Sequence, residues 1–237
     1  MILVLAGTTE GRKIAAALEK EGHRVIASTA TTYGGELLRS TFGGVIISRP
    51  LNSIELLRLI KTKKIEKVID ATHPYALEIS SNARQACLKA AVPYERIERT
   101  TVSNLDVDNE MIIEADNFEV AAELATTFTG NYGKIFLAIG SNKLHCFAAR
   151  IDSSRLVARV LPVPDSIAKC LALNIQPANI IAMQGPFDEE LNKLLLRRYN
   201  AVVLVTKESG VAGGTAEKIS AAQSLSIPTI LITRPKP

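Results

Sequence analysis

The stretch that decides the fold is I-L-V-L-A-G-T-T-E-G-R, from Ile2 to Arg12. Ile2 to Leu5 is a short apolar run of mostly branched side chains, which predicts a buried β-strand. Gly7 follows at once, and a helical pattern with one apolar face begins after Gly11. A strand, a glycine-containing turn and a helix together present free backbone N–H groups and a helix N-terminus, a geometry that binds anions. The stretch therefore predicts a βα unit able to hold a phosphate.

The glycine spacing of this turn, G-x-x-x-G, departs from the G-x-G-x-x-G fingerprint of dinucleotide-binding folds. Gly7 lets the backbone turn or approach a phosphate closely, and Gly11 lets the helix pack near the strand. The hydroxyls of Thr8 and Thr9 add donors. A plain strand-to-helix turn that binds nothing explains the same spacing, so both interpretations stay open at this point.

The end of the second predicted strand distinguishes between two nicotinamide cofactors. In a dinucleotide fold, an Asp or Glu about 20 residues after the Gly-rich turn holds the ribose 2′-OH of NAD. Here the strand Arg24 to Ala27 ends in Ser28 and Thr29, with Thr31 and Thr32 close by and no carboxylate. Hydroxyls can donate to a 2′-phosphate that a carboxylate would repel, so NADP(H) is favoured over NAD(H) if a dinucleotide binds. Ordinary turn chemistry is the alternative explanation of these hydroxyls.

Composition places the chain among ordinary globular proteins. It has 237 residues, of which 47% are hydrophobic and 22% charged, and a net charge of +4. There is no basic tail and no interleaving of aromatic and basic residues, so nucleic acid is not an expected partner. A mildly positive protein suits a polyanionic small molecule.

Cysteine usage and hydropathy predict a cytoplasmic protein. Cys87, Cys146 and Cys170 are widely spaced and odd in number, which implies no disulfide framework. The apolar run at Ile2 to Ala6 is too short for a secretory signal. No apolar run approaches the ~18 residues that suggest a transmembrane helix, so no membrane association is expected.

Short apolar runs alternate with helical patterns along the chain, which predicts parallel sheets covered by helices on both faces. About ten strands are predicted, too many for one sheet of this length. We therefore predict an α/β protein with two Rossmann-like domains and an interdomain cleft. The turn cluster Gly130 to Gly133 sets the predicted boundary, giving a first, NADP(H)-binding domain of residues 1–130 and a second, substrate-side domain of residues 131–237.

The fourth predicted strand, Lys67 to Ile69, ends in D-A-T-H-P-Y-A, from Asp70 to Ala76. In doubly wound sheets, ligands bind outside the carboxyl ends of the strands, where this segment places an Asp, a Thr, a His and a Tyr together. Pro74 restricts His73 to an extended conformation and can start a helix from Tyr75 to about Ala90. A lone His is often structural, but strand-end loops carry function in α/β folds, which favours a role for His73 in the site.

Strand ends in the second half carry candidate binding residues. The segment after the strand Ala201 to Val205 supplies a lysine and small residues that can hold carboxylates or phosphates: Lys207, Ser209, Gly210, Gly213 and Gly214. A flexible loop with a solvated lysine is the alternative. Gln184 and Gly185 form a tight turn at another strand end. Arg159 lies within an apolar strand, where a charge is costly unless it meets an acidic ligand or water.

The sequence lacks the motifs of metal sites, hydrolases and kinases. The three histidines are scattered and no Cys/His cluster has ligand spacing, so no metal is expected. There is no G-x-S-x-G and no P-loop, which leaves hydrolase and kinase interpretations without support.

Five motifs together resemble the precorrin-6A reductase family, the NADPH-dependent reductases of corrin-ring and hence cobalamin biosynthesis. They are, in chain order, A-G-T-T-E-G-R at Ala6 to Arg12, D-A-T-H-P-Y-A at Asp70 to Ala76, Q-G-P-F at Gln184 to Phe187, T-K-E-S-G with G-G at Thr206 to Gly214, and I-P-T-I-L-I-T-R-P at Ile227 to Pro235. Each motif is weak alone, but the set is specific and runs nearly end to end. The stretch Thr100 to Asn131 carries no motif of the family.

The resemblance implies two Rossmann-like domains that bind NADPH and a tetrapyrrole macrocycle, with hydride transfer to one ring carbon and a proton added next to it. It implies cofactor contacts from Gly7, Thr8, Thr9, Glu10, Gly11 and Arg12 at the phosphates, Ser28 and Thr29 near the ribose, and Thr72, His73 and Pro74 beside the nicotinamide. It implies that the polycarboxylate macrocycle meets Tyr75, Arg159, Gln184, Gly185, Lys207, Ser209, Gly210, Gly213 and Gly214. Lys207, Tyr75, His73 or solvent supplies the proton, and we favour Lys207.

Three other functions are compatible with parts of the pattern. Another NADP-linked reductase, such as a short-chain dehydrogenase, would carry a Tyr-x-x-x-Lys pair, and no tyrosine of this chain has Lys four places on. A non-enzymatic NADP-sensing module would bind NADPH without turning over a tetrapyrrole. A two-domain cyclase resembling uroporphyrinogen III synthase would bind no nucleotide.

Overall fold

Eleven β-strands form two separate sheets within residues 1–97, 111–210 and 213–234, the part of the chain that the computed structural model describes. Every strand pairing in both sheets is parallel. The chain divides into two units, Met1–Arg99 and Thr100–Pro237, and each contains one sheet. The predicted α/β class with two Rossmann-like parallel sheets is confirmed, and the predicted cleft stays a prediction.

The first unit is a five-stranded sheet in the order β3-β2-β1-β4-β5. Its central strand alternates between two cores, because Leu3 packs into the cluster on one face and Val4 into the cluster on the other, and both are fully buried. The strands are β1 (Ile2–Leu5), β2 (Val25–Thr29), β3 (Val45–Ser48), β4 (Lys67–Asp70) and β5 (Tyr94–Arg96), and the helices are α1 (Thr9–Lys20), α2 (Thr32–Arg39), α3 (Ser53–Thr62) and α4 (Leu77–Ala90).

The first sheet reverses its direction of growth between β1 and β4. These two strands lie side by side, and Leu5 at the end of β1 is in register with Asp70 at the end of β4. In open parallel sheets, ligands bind outside the carboxyl ends of the strands at such a switch point. The segments that follow β1 and β4 therefore lie at the edge where open parallel sheets bind ligands.

The second unit is a six-stranded sheet in the order β6-β11-β10-β7-β8-β9, and its switch point lies between β7 and β10. One face forms a core of Phe136, Val157 and Leu204 with Ala221 and Ala222 of the last helix. The strands are β6 (Ile112–Ala115), β7 (Lys134–Ala138), β8 (Leu156–Val160), β9 (Ile180–Ala182), β10 (Ala201–Lys207) and β11 (Thr229–Ile232), and the helices are α5 (Phe118–Thr129), α6 (Leu144–Ala148), α7 (Pro164–Ala172), α8 (Glu189–Arg198) and α9 (Thr215–Gln223).

The predicted boundary at residue 130 is wrong, because the chain divides between Arg99 and Thr100. β6 pairs with β11 at the edge of the second sheet, with Ile112 opposite Thr229 and Ala115 opposite Ile232. The glycine-rich turn at 130–133 only connects α5 to β7 inside the second unit. The predicted polar connector, Thr100 to Glu110, lies outside the described residues.

Two helices differ from the sequence-based prediction. α2 was not predicted, yet it begins directly after β2 with Thr31 as its N-cap, whose side chain accepts a hydrogen bond of 3.0 Å from the Gly34 N–H. α4 begins at Leu77 and not at Tyr75, because the chain first makes a turn in which the Ala76 N–H donates to the His73 carbonyl at 2.8 Å. Both differences lie at strand ends that carry predicted site residues.

Candidate functional site

Thr8 fastens the turn after β1 to the segment after β4. Its Oγ1 accepts a hydrogen bond of 3.1 Å from the Gly11 N–H, which caps α1, and donates one of 2.8 Å to the Ala71 carbonyl. The side chain is buried. Because the Thr8 hydroxyl donates its proton to Ala71, only the backbone of Thr8 could make the predicted phosphate contact.

Gly7 and Gly11 lack a side chain for different structural reasons. A Cβ at Gly11 would lie 2.8 Å from the Ala6 Cα and 3.2 Å from the Ala71 carbonyl oxygen, so α1 packs against both strand ends only because Gly11 has no side chain. Gly7 is exposed, lies outside the left-handed region and would place a Cβ with nothing within 4 Å. The fold therefore needs Gly11, whereas the absence of a side chain at Gly7 suits a ligand that approaches the backbone closely.

The first turn of α1 carries one half-buried cation, Arg12, and one acid, Glu10. Arg12 Nη2 donates a hydrogen bond of 2.9 Å to Thr9 Oγ1 on the exposed side of the helix. Glu10 is half-buried in the same turn. The helix N-terminus and the guanidinium of Arg12 thus lie at the switch point of the first sheet, where an anion is favoured.

The end of β2 meets the N-terminus of α2. Thr29 Oγ1 donates to the Thr31 carbonyl at 3.0 Å, so its proton serves the turn. Ser28 is buried, and its side chain makes no hydrogen bond within the described ranges. No carboxylate stands at this strand end. At the position predicted for the ribose, the structure therefore places a Ser28 hydroxyl that the fold does not use, next to the start of α2.

Asp70 is fully buried at the end of β4 and organises the segment that follows it. Its Oδ1 accepts hydrogen bonds from the Thr72 N–H at 3.0 Å and the Thr72 hydroxyl at 2.7 Å. Its Oδ2 accepts from the Tyr94 hydroxyl at 2.6 Å and from Arg96 Nη1 at 2.5 Å. Arg96 also donates to Ser80 and to the Thr72 hydroxyl. Both donors of Thr72, a predicted cofactor residue, are therefore used by the fold.

The charge state of Asp70 follows from this network. Burial by itself raises the pKa of the carboxyl, but the hydrogen bonds from Tyr94, Thr72 and Ser80 outweigh it, so the pKa of Asp70 lies below its ordinary value. Burial and the bond to Asp70 raise the pKa of Tyr94 to about 12. Asp70 is thus a carboxylate at neutral pH, and its hydrogen bonds position the segment that follows β4. Arg96 was missed in the sequence, although it pairs in register with Asp70 on the adjacent strand.

His73 and Tyr75 lie next to each other just beyond this network. Their ring centroids are 5.4 Å apart with an interplanar angle of 37°, and the Tyr75 N–H points to His73 Nδ1 at 3.4 Å. Both side chains and Pro74 between them are half-buried. The structure therefore brings the predicted pair of proton-carrying side chains together at the switch-point edge of the first sheet.

In the second unit, residues of the segment between β10 and α9 hydrogen-bond to one another. The Ser209 N–H donates to Thr215 Oγ1 at 3.1 Å, and the two hydroxyls lie 3.1 Å apart. Gly213 packs against Ser209, where a Cβ would overlap the serine side chain. Gly210 and Gly214 have φ values of +71° and +62°, which favour glycine. The small residues predicted to hold an anion thus shape the loop that leads from Lys207 into α9.

Arg159 is buried among aromatic rings. Its guanidinium carbon lies 4.7 Å from the centroid of the Phe187 ring and 5.6 Å from that of Phe136, and Nη1 donates to Asn192 Oδ1 at 2.7 Å. Burial lowers the pKa of Arg159 to about 10, so the guanidinium stays charged at neutral pH. The residue does not reach water at a sheet edge, which was the alternative for this position.

The turn after β9 lies against the loop before α9. A Cβ at Gly214 would be 3.6 Å from the Pro186 Cβ and 3.8 Å from the Phe187 carbonyl oxygen. Gln184 and Gly185 are exposed in this turn. The structure therefore brings three sequence-predicted elements of the second unit together, namely Arg159, the 184–187 turn and Gly214, while Lys207 ends β10 at the start of the loop that leads to Gly214.

Lys218 is a buried basic side chain that gives no signal in the sequence. It lies in the first turn of α9 and is 7% exposed. Burial is the largest cause that lowers its pKa to about 7, followed by the charges of Arg159 and Lys207, while Glu217 acts in the opposite direction. A lysine in the pattern A-E-K-I-S-A-A gives no sign of burial, because only the packing of α9 on the sheet decides it.

Metal binding and membrane crossing have no support among the described residues. No group of three or more His, Cys, Asp or Glu side chains there is arranged to hold a metal ion. Among the same residues, no helix has the length and apolar character required to cross a membrane.

Comparison with known proteins gives a consistent result over the full chain. The family model described as precorrin-6x reductase CbiJ/CobK matches residues 1–237. A cobalt-precorrin-6A reductase of Priestia megaterium is 37% identical over 239 residues, covering 100% of this chain and 91% of the relative. One of Methanothermobacter thermautotrophicus is 36% identical over 236 residues, covering 99% of this chain and 76% of the relative. The solved structure of CobK precorrin-6A reductase superposes with a TM-score of 0.77 at 28% identity, covering 99% of this chain and 88% of that one.

Proposed function

The chain belongs to the precorrin-6x reductase CbiJ/CobK family, and from this premise we propose that it reduces the cobalt-precorrin-6A macrocycle with NADPH in cobalamin biosynthesis. A reductase of this family is an oxidoreductase, and that identity supports a nicotinamide cofactor. The full-length family match is the observation that carries the proposal. The similar relatives named above are cobalt-precorrin-6A reductases, which favours the cobalt-containing substrate over the metal-free one.

The switch point of the first sheet suits a dinucleotide phosphate. Gly7 is the supporting observation, because its missing side chain has no reason in the fold but allows close approach of an anion. The N-terminus of α1 supplies N–H groups that have no partner inside the helix, and Arg12 supplies a positive charge. The proposed phosphate contacts are the six residues from Gly7 to Arg12, with Thr8 acting through its backbone.

The choice of NADPH over NADH rests on the end of β2. Ser28 offers a hydroxyl without an internal partner, and the N-terminus of α2 adds partial positive charge. A carboxylate at this position would repel a 2′-phosphate and bind the 2′-OH of NAD instead. Ser28 and Thr29 are therefore proposed to line the site of the 2′-phosphate, with Ser28 as its donor.

The nicotinamide supplies a hydride when it is bound, and the chain must orient it and provide a proton. The buried Asp70 network fixes the segment from Thr72 to Tyr75, which is proposed to line the nicotinamide side. His73 and Tyr75 at that edge can each carry a proton. Lys207, at the end of β10, is the proposed proton donor to the carbon next to the one that accepts the hydride.

The second sheet is proposed to bind the macrocycle. Its carboxylates suit Arg159 and Lys207, which lie at the carboxyl ends of β8 and β10. The remaining proposed contacts are Tyr75, Gln184, Gly185, Ser209, Gly210, Gly213 and Gly214. Because Ser209 bonds to Thr215 and Gly213 packs on Ser209, these loop residues act by shaping the backbone that meets the substrate.

The deciding experiment is anaerobic oxidation of NADPH, followed at the nicotinamide absorbance, with cobalt-precorrin-6A and precorrin-6A offered separately. Turnover of the cobalt form with NADPH preferred over NADH is the expected result. Turnover of only the metal-free form would correct the substrate. Tight binding of NADPH with no turnover of either would overturn the proposed reaction and favour another reductase or a sensing module.

A further inference from the structure

Two basic side chains, Arg159 and Lys218, lie at the carboxyl end of one core in the second unit. Arg159 and Val157 are two apart on β8, so they face the same side of the sheet. Val157 packs in a cluster with Ala221 and Ala222 of α9. Lys218 precedes these alanines by one helical turn and therefore lies on the same buried face of α9. Arg159 and Lys218 thus close the same end of the same core.

The fold does not neutralise this pair with a carboxylate. The partners of Arg159 are an amide oxygen of Asn192 and the face of the Phe187 ring, both uncharged. Lys218 makes no ion pair and no side-chain hydrogen bond within the described part of the chain. Glu217 is adjacent in sequence, but its Oε2 is buried without a hydrogen-bond partner among the same residues. Arg159 and Lys218 therefore have no ion pair with a carboxylate among the described residues, and the Glu217 charge offsets only part of what disfavours the Lys218 cation.

Other acids near α9 are engaged elsewhere. Glu189 of α8 accepts from Ser220 Oγ at 2.6 Å and pairs with Lys193 at 2.5 Å. Glu208, which follows β10, pairs with Arg234 at 3.4 Å. The charges that act on Lys218 are then Arg159 from β8, Lys207 from β10 and Glu217 from its own helix.

Three features disfavour a cation at Lys218. Burial removes its hydration, the first turn of α9 is the positive end of the helix dipole, and Arg159 and Lys207 repel it. None of these features helps the protein to fold. An anion bound beside Lys218 would relieve all three at once, and such perturbed, unpaired groups are typical of ligand sites.

We propose that Lys218 and Arg159, with Lys207 beside them, form a buried anion subsite that binds one carboxylate of the tetrapyrrole, and that Lys218 takes up a proton when the carboxylate binds. The inference rests on the proposed function only for the identity of the ligand. The 184–187 turn and Gly214 lie next to this subsite, which explains why those sequence-predicted residues converge there. Two cationic side chains can hold one carboxylate through charge-assisted hydrogen bonds.

The first test compares Lys218→Met with Lys193→Met, which removes a lysine of α8 that is already paired with Glu189 and Glu190. The probe is uroporphyrin, a tetrapyrrole whose side chains end in carboxylates, and binding is followed by porphyrin fluorescence. Lys218→Met is expected to raise the Kd by about tenfold or more, the effect of losing one charge-assisted hydrogen bond. Lys193→Met is expected to leave the Kd unchanged. Equal Kd values in all three proteins would overturn the subsite.

The second test measures how many protons the protein takes up when uroporphyrin binds. Calorimetric titrations with uroporphyrin at pH 8 in two buffers of different ionisation enthalpy should show proton uptake by the parent protein and none by Lys218→Met. Unfolding by urea at pH 7 without ligand should show Lys218→Met at least as stable as the parent, since a buried cation is removed. Lower stability of Lys218→Met would show that Lys218 serves the fold and would contradict the proposal, as would equal proton uptake.

These outcomes separate the subsite from the reaction. If NADPH oxidation fails with both macrocycles while uroporphyrin binding and proton uptake depend on Lys218, the proposed reaction is wrong and the subsite stands. If turnover occurs and Lys218→Met keeps the KM for the macrocycle, the reaction stands and the subsite is wrong.

Discussion

The hydroxyl of Thr8 donates a 2.8 Å hydrogen bond to the carbonyl of Ala71, joining the segments that follow β1 and β4. The same oxygen caps α1 by accepting from Gly11. One buried side chain therefore sets the spacing of the two loops that border the switch point. A cofactor held by the first loop would have its position fixed relative to His73 and Tyr75 in the second.

The two glycines of the first turn should respond differently to alanine. Gly11→Ala forces a Cβ against the Ala6 backbone, so it should lower the free energy of unfolding by about 1–3 kcal/mol. Gly7→Ala meets no atom within 4 Å and should leave stability nearly unchanged. It should nonetheless weaken NADPH binding by tenfold or more, on the order of 1.4 kcal/mol. Urea unfolding and NADPH titration check both; unchanged NADPH affinity in Gly7→Ala would remove the phosphate site from this turn.

Ser28→Asp should change the cofactor preference. A carboxylate at the end of β2 repels a 2′-phosphate and can hold the 2′-OH of NADH, so the ratio of kcat/KM for NADPH to that for NADH should fall at least about tenfold. Ser28→Ala is the matched control, because it removes the hydroxyl without adding a charge, and its ratio should fall less. Steady-state kinetics with both cofactors decide the matter, and an unchanged ratio in Ser28→Asp would place the ribose elsewhere.

The Asp70 network should make the first unit sensitive to loss of Arg96 and to acid. Arg96→Met leaves the fully buried carboxylate without its cation and should cost about 3 kcal/mol of unfolding free energy. Arg49→Met, which breaks the exposed pair with Glu55, should change stability little.

The same carboxyl fixes the sign of the pH dependence. The folded pKa of Asp70 is depressed, so its contribution is complete above the unfolded value of about 3.9 and is lost as pH falls through the lower, folded value. The stability difference between the parent and Asp70→Asn should therefore be constant near neutral pH and shrink below about pH 4. Urea unfolding from pH 7 to pH 3 measures it, and a difference that grows on acidification would contradict the assignment.

Lys207→Ala should lower kcat more than it lowers NADPH affinity, because the proposed role of this lysine is to donate a proton in the chemical step. Lys207→Arg separates that role from simple attraction of a carboxylate. A guanidinium keeps the charge but holds its proton too tightly to donate it, so kcat should stay low. Full kcat in Lys207→Arg, or an unchanged kcat in Lys207→Ala at saturating substrate, would assign the proton to another group.

Local sequence patterns predicted the strands and their ends, because an apolar run followed by glycine or a polar cluster is typical of a buried parallel strand. The same patterns did not predict α2, because Gly34 and Gly35 lower its helix propensity. The structure needs one of them, since a Cβ at Gly35 would overlap the side chain of Ser48. Helix signals are thus weakened wherever close packing demands glycine.

Long-range pairing explains the other differences. Arg96 and Asp70 meet through strand register, and Lys218 is buried by the packing of α9 on the sheet, so neither is visible in a local pattern. The domain boundary was predicted in the wrong place for the same reason. β6 joins the second sheet by pairing with β11, the strand of that unit that is farthest from it in sequence.

The pairing of β6 with β11 has a practical consequence for dissecting the molecule. The N–H groups of Thr229 and Thr233 donate to the carbonyls of Met111 and Ala115, and every residue of β11 is buried. A fragment cut at residue 131 would lack β6 and leave β11 as a bare apolar edge, ready to add a strand from another chain. Such a fragment should aggregate on expression, so an isolated second unit must retain the segment from Met111 onward.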